Sequence, residues 1–399
     1  MLAPSFSTDM NANRPLSVAC VLSRFADVEV VTTDFDHWTK KKRKKSQFAP
    51  IDKIVYLETL PYYDNVSITR LLSHVLFAVS AGLYFFRRRK QFEIVYVTLP
   101  FNTLAWIALR SARTKWKIVD VMDIWPDVLP FKKWHVALLR PLFSFWRSFF
   151  NQAAASADVM MAVSDSFFEE TLKFVAPGCR SRRFYLGEVD LLCDVPKSDT
   201  LTVAYSGNLG RLYDFETLLD IMTDAERGSV QLFIVGDGDR RDWLLTELQQ
   251  RGISYKYFGS VYDPAKLGDI LCRAHVGFNG FVNTSAAFST KASTYFAAGL
   301  PLLNSMEGDL KRLVAEHELG FNYSGGDRNS LKRCFLQLDE HNLIRMSRNC
   351  RRFFEAELDR TKVRESLYSF LSGCLGGPGC GTALFSPEEV VGQNSQRRH

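Results

Sequence analysis

Patterns that mark several common enzyme classes are missing from this chain of 399 residues. Its eight cysteines are scattered, with no C-x-x-C pair and no Cys/His cluster at metal-ligand spacing, so we expect reduced thiols. A Ser/His/Asp arrangement and a phosphate-binding P-loop are also missing. The first half of the chain has no G-x-G-x-x-G at a strand end, which argues against an NAD-dependent oxidoreductase.

The amino terminus lacks the basic and then apolar segments of a secretory signal peptide, so we expect a cytoplasmic protein. The apolar segment of residues 75–86 (VLFAVSAGLYFF) is shorter than the roughly 20 residues that cross a bilayer. It is therefore predicted to be a buried helix of a domain.

The composition is that of a folded protein, with 46% hydrophobic and 24% charged residues and a net charge of +6. Apparent strands and helices alternate, which is typical of parallel sheets with crossover helices. Strands are predicted at residues 28–33, 54–57, 93–98, 117–121, 159–163 and 183–186, and again at 201–205, 230–235, 255–258, 276–279 and 302–304. We expect an α/β protein with two doubly wound domains, residues 1–192 and 193–372, and a disordered tail over 373–399.

The segment of residues 288–305 (FSTKASTYFAAGLPLLNS) has the features of an anion site. A helix is predicted to begin at Ser289, capped by Ser289 and Thr290, and to end at Gly299 and Pro301. Its unpaired N–H groups, its dipole and the charge of Lys291 all favour a phosphate. The alternative is an ordinary capped helix with a solvated lysine.

Three further strand ends in the second half carry glycine. The sequence from Tyr205 to Arg211 (YSGNLGR) lets the backbone approach a ligand closely, and Arg211 has the geometry to pair with a diphosphate. Residues 235–239 (VGDGD) and 257–261 (YFGSV) follow the next two strands. For VGDGD a simple turn is the favoured interpretation.

These segments together resemble the donor domain of retaining nucleotide-sugar glycosyltransferases of the GT-B fold, family four and its relatives. Lys291, Tyr295, Ala297, Gly299 and Pro301 match that family's P-x-K-x-x-x-Y-x-A-x-G-x-P segment. The K-x-S-x-Y spacing is similar to branches that include galactofuranosyl and some capsule or adhesin-glycan transferases. The best-known members have two acids eight positions apart in this region, and here the aligned residues are Ala286 and Thr294.

The resemblance implies two Rossmann-like domains that face each other across a cleft, and a hexosyl-type transferase (EC 2.4) that retains anomeric configuration. A late helix, near residues 342–357 or 360–371, is implied to cross back to the first domain. An opening apolar strand is expected in this fold, but residues 1–15 resemble the loop that follows it, so a central slot of the first sheet would be empty. The implied donor-binding residues are Gly207, Asn208, Arg211, Phe258, Gly259, Val261, Lys291, Ser293 and Tyr295.

In the first half, Asp123 follows a predicted strand within the sequence DIWP. This segment resembles the D-L-W-P segment of related surface-polysaccharide transferases, which makes Asp123 the candidate catalytic residue, in contact with a sugar hydroxyl or the acceptor. The alternative is that Asp123 caps the following turn while Trp125 packs in the core. Ser7, Thr8, Asn11 and Asn13 of the opening loop are weaker candidates for the same cleft.

Two D-x-D sequences, Asp34 with Asp36 and Asp237 with Asp239, match the motif by which GT-A transferases bind a metal and a diphosphate. Neither lies in the single-domain GT-A layout, so no required metal or other cofactor is predicted. The expected partner is a nucleoside-diphosphate sugar, bound as substrate.

Three basic and aromatic clusters, residues 40–45, 84–90 and 131–134, suggest peripheral attachment to an anionic membrane. Solvated loops are the alternative for such charge runs, and no nucleic-acid recognition motif accompanies them. By analogy the acceptor is a saccharide or a polyprenyl-linked saccharide of capsule, exopolysaccharide or O-antigen assembly. A rival interpretation is a non-catalytic GT-B scaffold or sugar-nucleotide-binding protein; a GT-B epimerase is disfavoured because the acidic and histidine placements it needs are missing.

Overall fold

The computed structural model describes residues 1–7, 13–37, 40–43, 48, 51–63, 67–88, 92–111, 113–127, 133–185, 195–224, 229–282 and 288–376. For residues 133–138 only the backbone is described. The predicted boundary between residues 192 and 193, and the predicted tail from residue 377 onward, lie outside these ranges.

The first half of the chain forms parallel strands with helices between them. The strands are β1 (Glu29–Thr33), β2 (Lys53–Leu57), β3 (Ile94–Leu99), β4 (Trp116–Val121), β5 (Val159–Ala162) and β6 (Arg180–Arg183), and the helices are α1 (Arg14–Leu22), α2 (Ile68–Arg88), α3 (Asn102–Ser111), α4 (Lys133–Ala155) and α5 (Asp165–Leu172). β1 pairs with β2, and β3 to β6 pair in sequence order. The strands are rich in buried β-branched residues, as expected for a sheet that is covered on both faces.

The expected empty slot of the first sheet is occupied, which corrects the prediction. Leu2 bridges in parallel to Val31 of β1 and to Val97 of β3. The Leu2 N–H donates to the Tyr96 carbonyl at 2.8 Å, and the Val31 N–H donates to the Met1 carbonyl at 2.8 Å. Residues 1–3 therefore join the two groups of strands into one layer.

The second half forms a six-stranded parallel sheet in the order β12-β11-β10-β7-β8-β9. Its strands are β7 (Leu201–Ser206), β8 (Val230–Val235), β9 (Ser254–Tyr257), β10 (Val276–Asn279), β11 (Leu302–Asn304) and β12 (Gly320–Asn322). Its helices are α6 (Phe215–Asp224), α7 (Arg241–Gln250), α8 (Pro264–Cys272), α9 (Thr290–Ala297), α10 (Asp309–Glu316), α11 (Arg328–Phe335) and α12 (Glu340–Glu357), followed by α13 (Arg360–Leu375). The sheet order reverses between β10 and β7, which creates a crevice at the carboxyl ends of the strands.

The predicted crossing-back helix is confirmed and is α13. Val363 and Leu367 of α13 pack with Val18 of α1 in one buried cluster. α13 also continues beyond the predicted end at residue 371 and stops at Gly376, where φ is 74°. The tail predicted from residue 373 therefore begins too early.

Three other expectations are corrected, and one strand was missed. The start of β6 was predicted three residues too late, because Arg180–Arg183 carries no apolar period. β12 was missed because it has only three residues. Cys272 is disulfide-bonded, so the expectation of reduced thiols is wrong there, because sequence spacing does not reveal which thiols the fold brings together.

Helix α2 is not a buried helix: it has 21 residues, is long and apolar enough to cross a membrane, and is only about one-third buried over its most apolar window.

Candidate functional site

The loops after β7, β8 and β9 are bound to one another through their backbones. The Gly207 N–H donates to the Val235 carbonyl at 2.9 Å, and the Gly236 N–H donates to the Gly259 carbonyl at 2.7 Å. A Cβ on Gly236, whose φ is 130°, would stand 1.8 Å from the Gly207 carbonyl oxygen. The glycines of VGDGD are thus explained by loop packing, in agreement with the turn interpretation.

Lys291 lies in the first turn of α9, inside a cage of three aromatic rings. Its Nζ is 3.7 Å from the ring centre of Tyr213, 4.7 Å from that of Tyr205 and 4.8 Å from that of Phe281. Its only described polar partner is the Tyr205 hydroxyl, at 3.5 Å. Among the described residues no carboxylate forms an ion pair with it, and burial lowers its pKa well below the usual lysine value.

Helix α9 begins as predicted, with Ser289 at the N-cap, but its side chain makes no capping hydrogen bond. The expectation that Ser289 caps the helix is therefore wrong in that detail, and the side chain does not occupy the first N–H groups. The glycine loop approaches the same place, since a Cβ on Gly207 would stand 2.9 Å from Lys291 Cδ. Lys291, the start of α9 and the β7 loop thus meet at the carboxyl edge of the sheet.

Tyr295 and Ser293, two of the predicted donor-binding residues, are buried within the domain. The Tyr295 hydroxyl accepts from the Ser206 N–H at 2.7 Å and donates to the Phe278 carbonyl at 3.3 Å. Tyr295 therefore holds the end of β7, where the glycine loop begins.

Other predicted donor residues are more accessible. Phe258 is 38% exposed and packs edge-on against Phe233, and Gly259 has a φ of 66°. Val261 is half-buried and Asn208 is exposed. Arg211 is exposed and lies 3.7 Å from Asp239, so this ion pair contributes little to stability.

Sequence reasoning missed a chain of asparagines at the carboxyl ends of β10, β11 and β12. Asn279 Nδ2 donates to Asn304 Oδ1 at 2.8 Å, and Asn304 Nδ2 donates to Asn322 Oδ1 at 2.8 Å. Asn279 Oδ1 is buried and accepts no hydrogen bond from the described residues. The signal was present in the sequence, because each of these strands ends in an aromatic or leucine residue followed by asparagine.

On the first sheet, Asp123 follows β4 and is bound to its own turn. Its carboxylate accepts from the Ile124 N–H and from Trp125 Nε1, both at 3.0 Å. Burial raises the pKa of Asp123 to about 6, against the lowering effects of those hydrogen bonds and of Arg70. Turn capping, one part of the alternative interpretation, is therefore present. Trp125 is half-buried and does not pack in the core, and Asp123 as a whole residue is also half-buried.

Trp125 is the centre of a cluster from several elements that sequence reasoning missed. His74 of α2 stacks on it at 5.7 Å, Trp146 of α4 contacts it at 5.9 Å, and the Arg70 guanidinium lies 5.0 Å from its ring. Desolvation lowers the pKa of His74 to about 3 and, in the neighbouring loop, that of His37 to about 4. Both imidazoles are thus neutral at pH 7, and only the fold brings them to this place.

The described residues of the opening loop and the D-x-D aspartates form hydrogen bonds or ion pairs with neighbouring protein groups. The Ser7 carbonyl accepts from Asn13 Nδ2 at 3.0 Å, while Thr8 and Asn11 lie outside the described residues. Asp34 accepts from the Thr59 N–H, and Asp36 pairs with Arg43. Asp237 pairs with Arg241, as Asp239 does with Arg211.

Two parallel Rossmann-like sheets joined by a returning helix constitute the GT-B fold, as the sequence predicted. No family model and no curated protein sequence matches the chain. Solved structures do match: sucrose-phosphate synthase from Thermosynechococcus elongatus has a TM-score of 0.69 at 16% identity, with 90% of this chain and 92% of that chain covered. HepE from Anabaena in complex with UDP has a TM-score of 0.67 at 13% identity, with 93% and 99% covered.

A third match is WaaG, a glycosyltransferase involved in lipopolysaccharide biosynthesis, with a TM-score of 0.60 at 12% identity and coverage of 93% and 99%. HepE has also been solved with UDP-glucose. At these identities the likeness establishes the GT-B fold of this chain, and its chemistry has to be argued from its own residues.

Proposed function

We propose that this protein transfers a sugar from a nucleoside-diphosphate sugar to an acceptor hydroxyl. The observation that carries the proposal is Lys291, a caged ammonium group with no carboxylate partner among the described residues, beside the first turn of α9 and the Gly207 loop. Burying a cation without a counter-ion is costly, so such a site favours an anion that arrives from outside. A diphosphate has the charge and the acceptor oxygens that this site lacks.

On the donor side, Lys291 and the N–H groups of α9 stabilise the diphosphate as the bond to the anomeric carbon breaks. Gly207 and Asn208 bring backbone close to the phosphates, and Arg211 pairs with them. Phe258, Gly259 and Val261 meet the base, Tyr295 holds α9 against the end of β7, and Ser293 completes the donor side from α9. Binding of UDP and UDP-glucose by HepE, on the same fold, supports this assignment.

On the acceptor side, Asp123 is the proposed catalytic residue. As the acceptor oxygen bonds to the anomeric carbon, its proton passes to the Asp123 carboxylate, and the diphosphate leaves with the electrons of the broken bond. A carboxyl group with a pKa of about 6 is suited to exchange a proton near neutral pH. The resemblance of the Lys291 segment to retaining GT-B transferases supports a hexosyl transfer that retains configuration, and the D-x-D sequences, which do not lie in a single-domain GT-A layout, support a reaction that requires no metal.

For the acceptor we propose a saccharide or polyprenyl-linked saccharide of a surface polysaccharide, made at the cytoplasmic face of a membrane. The role of WaaG in lipopolysaccharide biosynthesis supports this class. A second candidate, a non-catalytic sugar-nucleotide-binding scaffold, is favoured by Ala286 and Thr294, which replace the usual acid pair.

The test is a panel of UDP-, GDP- and dTDP-sugars, measured by thermal shift and by nucleotide release, on the natural protein and on Lys291→Ala. Lys266→Ala is the matched control, because Lys266 is an exposed lysine of α8 in the same domain. We expect one nucleotide class to stabilise the natural protein and the control but not Lys291→Ala, with nucleotide release when acceptor is supplied.

Stabilisation without release, with membrane extract as the source of acceptor, would favour the scaffold. Stabilisation of Lys291→Ala equal to that of the control would refute the donor site. Asp123→Asn should retain nucleotide binding and lose release, because it leaves the second domain unchanged.

A further inference from the structure

Helix α2 exposes an apolar face along its whole length, which is unusual for a helix of a globular domain. The exposed residues follow helical spacing and are each between 40% and 78% exposed: Ile68, Leu71, Leu72, Val75, Leu76, Val79, Leu83 and Phe86. Helix α4 adds exposed Leu139, Leu142 and Phe145. We propose that this α2–α4 face docks on the surface of an anionic lipid bilayer, with α2 lying in the interface.

The charges of helices α2, α3 and α4 indicate that the surface that docks on the α2–α4 face is anionic. Helices α2, α3 and α4 contain no Asp or Glu. Their basic residues are Arg70, Arg87, Arg88, Arg110, Lys133, Arg140 and Arg147. Arg88 is paired with Glu29, and Arg147 with Asp127 and Glu170, while Arg87 and Arg140 are exposed.

A second copy of the chain is a poorer occupant, because a two-fold contact would place this face against itself. Two layers without acidic residues would bring like charges together, whereas anionic headgroups neutralise them. The bilayer also accepts the apolar side chains of an amphipathic helix whose other face is held by the protein.

α2 is docked on its own domain and does not stand free of it. Phe77, Ala81 and Phe85 are buried in the same cluster as Leu104 and Leu109 of α3. A helix that crossed the bilayer would have to give up this packing. The exposed stripe therefore lies on the membrane while the buried stripe remains with α3 and the sheet.

The same two helices contact the candidate acceptor residues. His74 of α2 and Trp146 of α4 both contact Trp125, whose indole Nε1 is bonded to Asp123. Leu71 and Leu142 lie one turn from those two contacts. Docking of the α2–α4 face places Asp123 next to the bilayer surface, where a lipid-carried acceptor would present its sugar; this last step rests on the proposed function.

The test is co-flotation of the full chain with vesicles of mixed phosphatidylglycerol and phosphatidylcholine, and with pure phosphatidylcholine. The variant is Leu72→Glu with Leu142→Glu, and the matched control is Leu336→Glu, which changes an exposed leucine of the second domain. We expect binding to the anionic vesicles, weakened by salt, with at least about a tenfold loss for the double variant and none for the control.

A UDP thermal shift on each variant shows that the fold and donor site are intact, so failure of docking and failure of the donor assignment are separate results. The proposal is overturned if the natural protein does not float with anionic vesicles, or if the control loses binding equally. Dimers dissociated by the double variant, without vesicle binding, would assign the face to a second copy. Resistance to alkaline carbonate extraction from cell membranes would show instead that α2 spans the bilayer.

Discussion

Replacement of Lys291 by methionine is expected to weaken nucleotide binding and to stabilise the unliganded protein. Methionine keeps the apolar stem within the cage of Tyr205, Tyr213 and Phe281 but removes the ammonium group. Hydrogen bonds to a charged group contribute about 1.5–3 kcal/mol, so UDP should bind roughly 10- to 150-fold more weakly.

The free energy of unfolding of the unliganded protein should increase, because the buried ammonium group of the natural protein has no counter-ion among the described residues. Cation–π attraction of about 0.5–2 kcal/mol offsets part of its desolvation cost. We expect a net gain for Lys291→Met of about 1 kcal/mol, or roughly 2–4 °C in melting temperature.

The pH dependence supplies an independent check. Burial lowers the pKa of Lys291 in the folded protein below its pKa in the unfolded chain. At a pH between these two pKa values, the unfolded chain therefore binds more protons than the folded protein. The stability of the natural protein should then rise with pH over this window, up to the unfolded value near about 10.4. The stability that Lys291→Met gains over the natural protein should therefore become smaller as the pH rises.

The assay is thermal melting with and without UDP at several pH values, with Lys266→Met as the exposed control. The reasoning is refuted if Lys291→Met melts at a lower temperature than the natural protein and still binds UDP with the same affinity. It is also refuted if Lys266→Met reproduces both effects.

Three further changes test other parts of the structure. Asp120→Asn should cost about 3–5 kcal/mol in urea denaturation, because it leaves the buried Arg14 guanidinium, 3.0 Å away, without its counter-ion; a loss below about 1 kcal/mol would contradict this. Asp123→Asn should gain stability relative to the natural protein as pH rises from about 4 to 7, by up to about 3 kcal/mol. The reason is that the folded-state pKa is raised to about 6, so the folded protein holds a proton that the unfolded chain has lost and the natural protein becomes less stable through this window; a pH-independent difference between the two melting curves would show that the carboxyl group is solvated. Gly236→Ala should lower stability by about 2 kcal/mol or more and abolish the UDP thermal shift, since its Cβ would collide with the Gly207 carbonyl at a φ of 130°; an unchanged melting temperature would contradict the loop packing.

Much of the second sheet was predictable from the sequence because its signals are local. β8, β10 and β11 have the predicted limits, since apolar runs bounded by glycine or proline define short buried strands. The stop of α9 is equally local, because Gly299 adopts a φ of 66° and Pro301 follows. Lys291 was noted as a charge at a predicted helix start, and the resemblance of its segment to a family signature made it a candidate site residue.

The surroundings of these residues depended on the tertiary structure. The rings that enclose Lys291 come from positions up to 86 residues away in the sequence, and the histidine that stacks on Trp125 comes from α2. The exposure of α2 was mispredicted for a related reason: an apolar segment shows that a helix needs a nonpolar neighbour, but not which face the domain covers. The sequence by itself determined most strands of the second sheet, the glycine turns at their ends and the charges beside them, because these follow from neighbouring residues. Only the packing of parallel strands and their helices decided which of these groups meet, which remain buried and which face the outside.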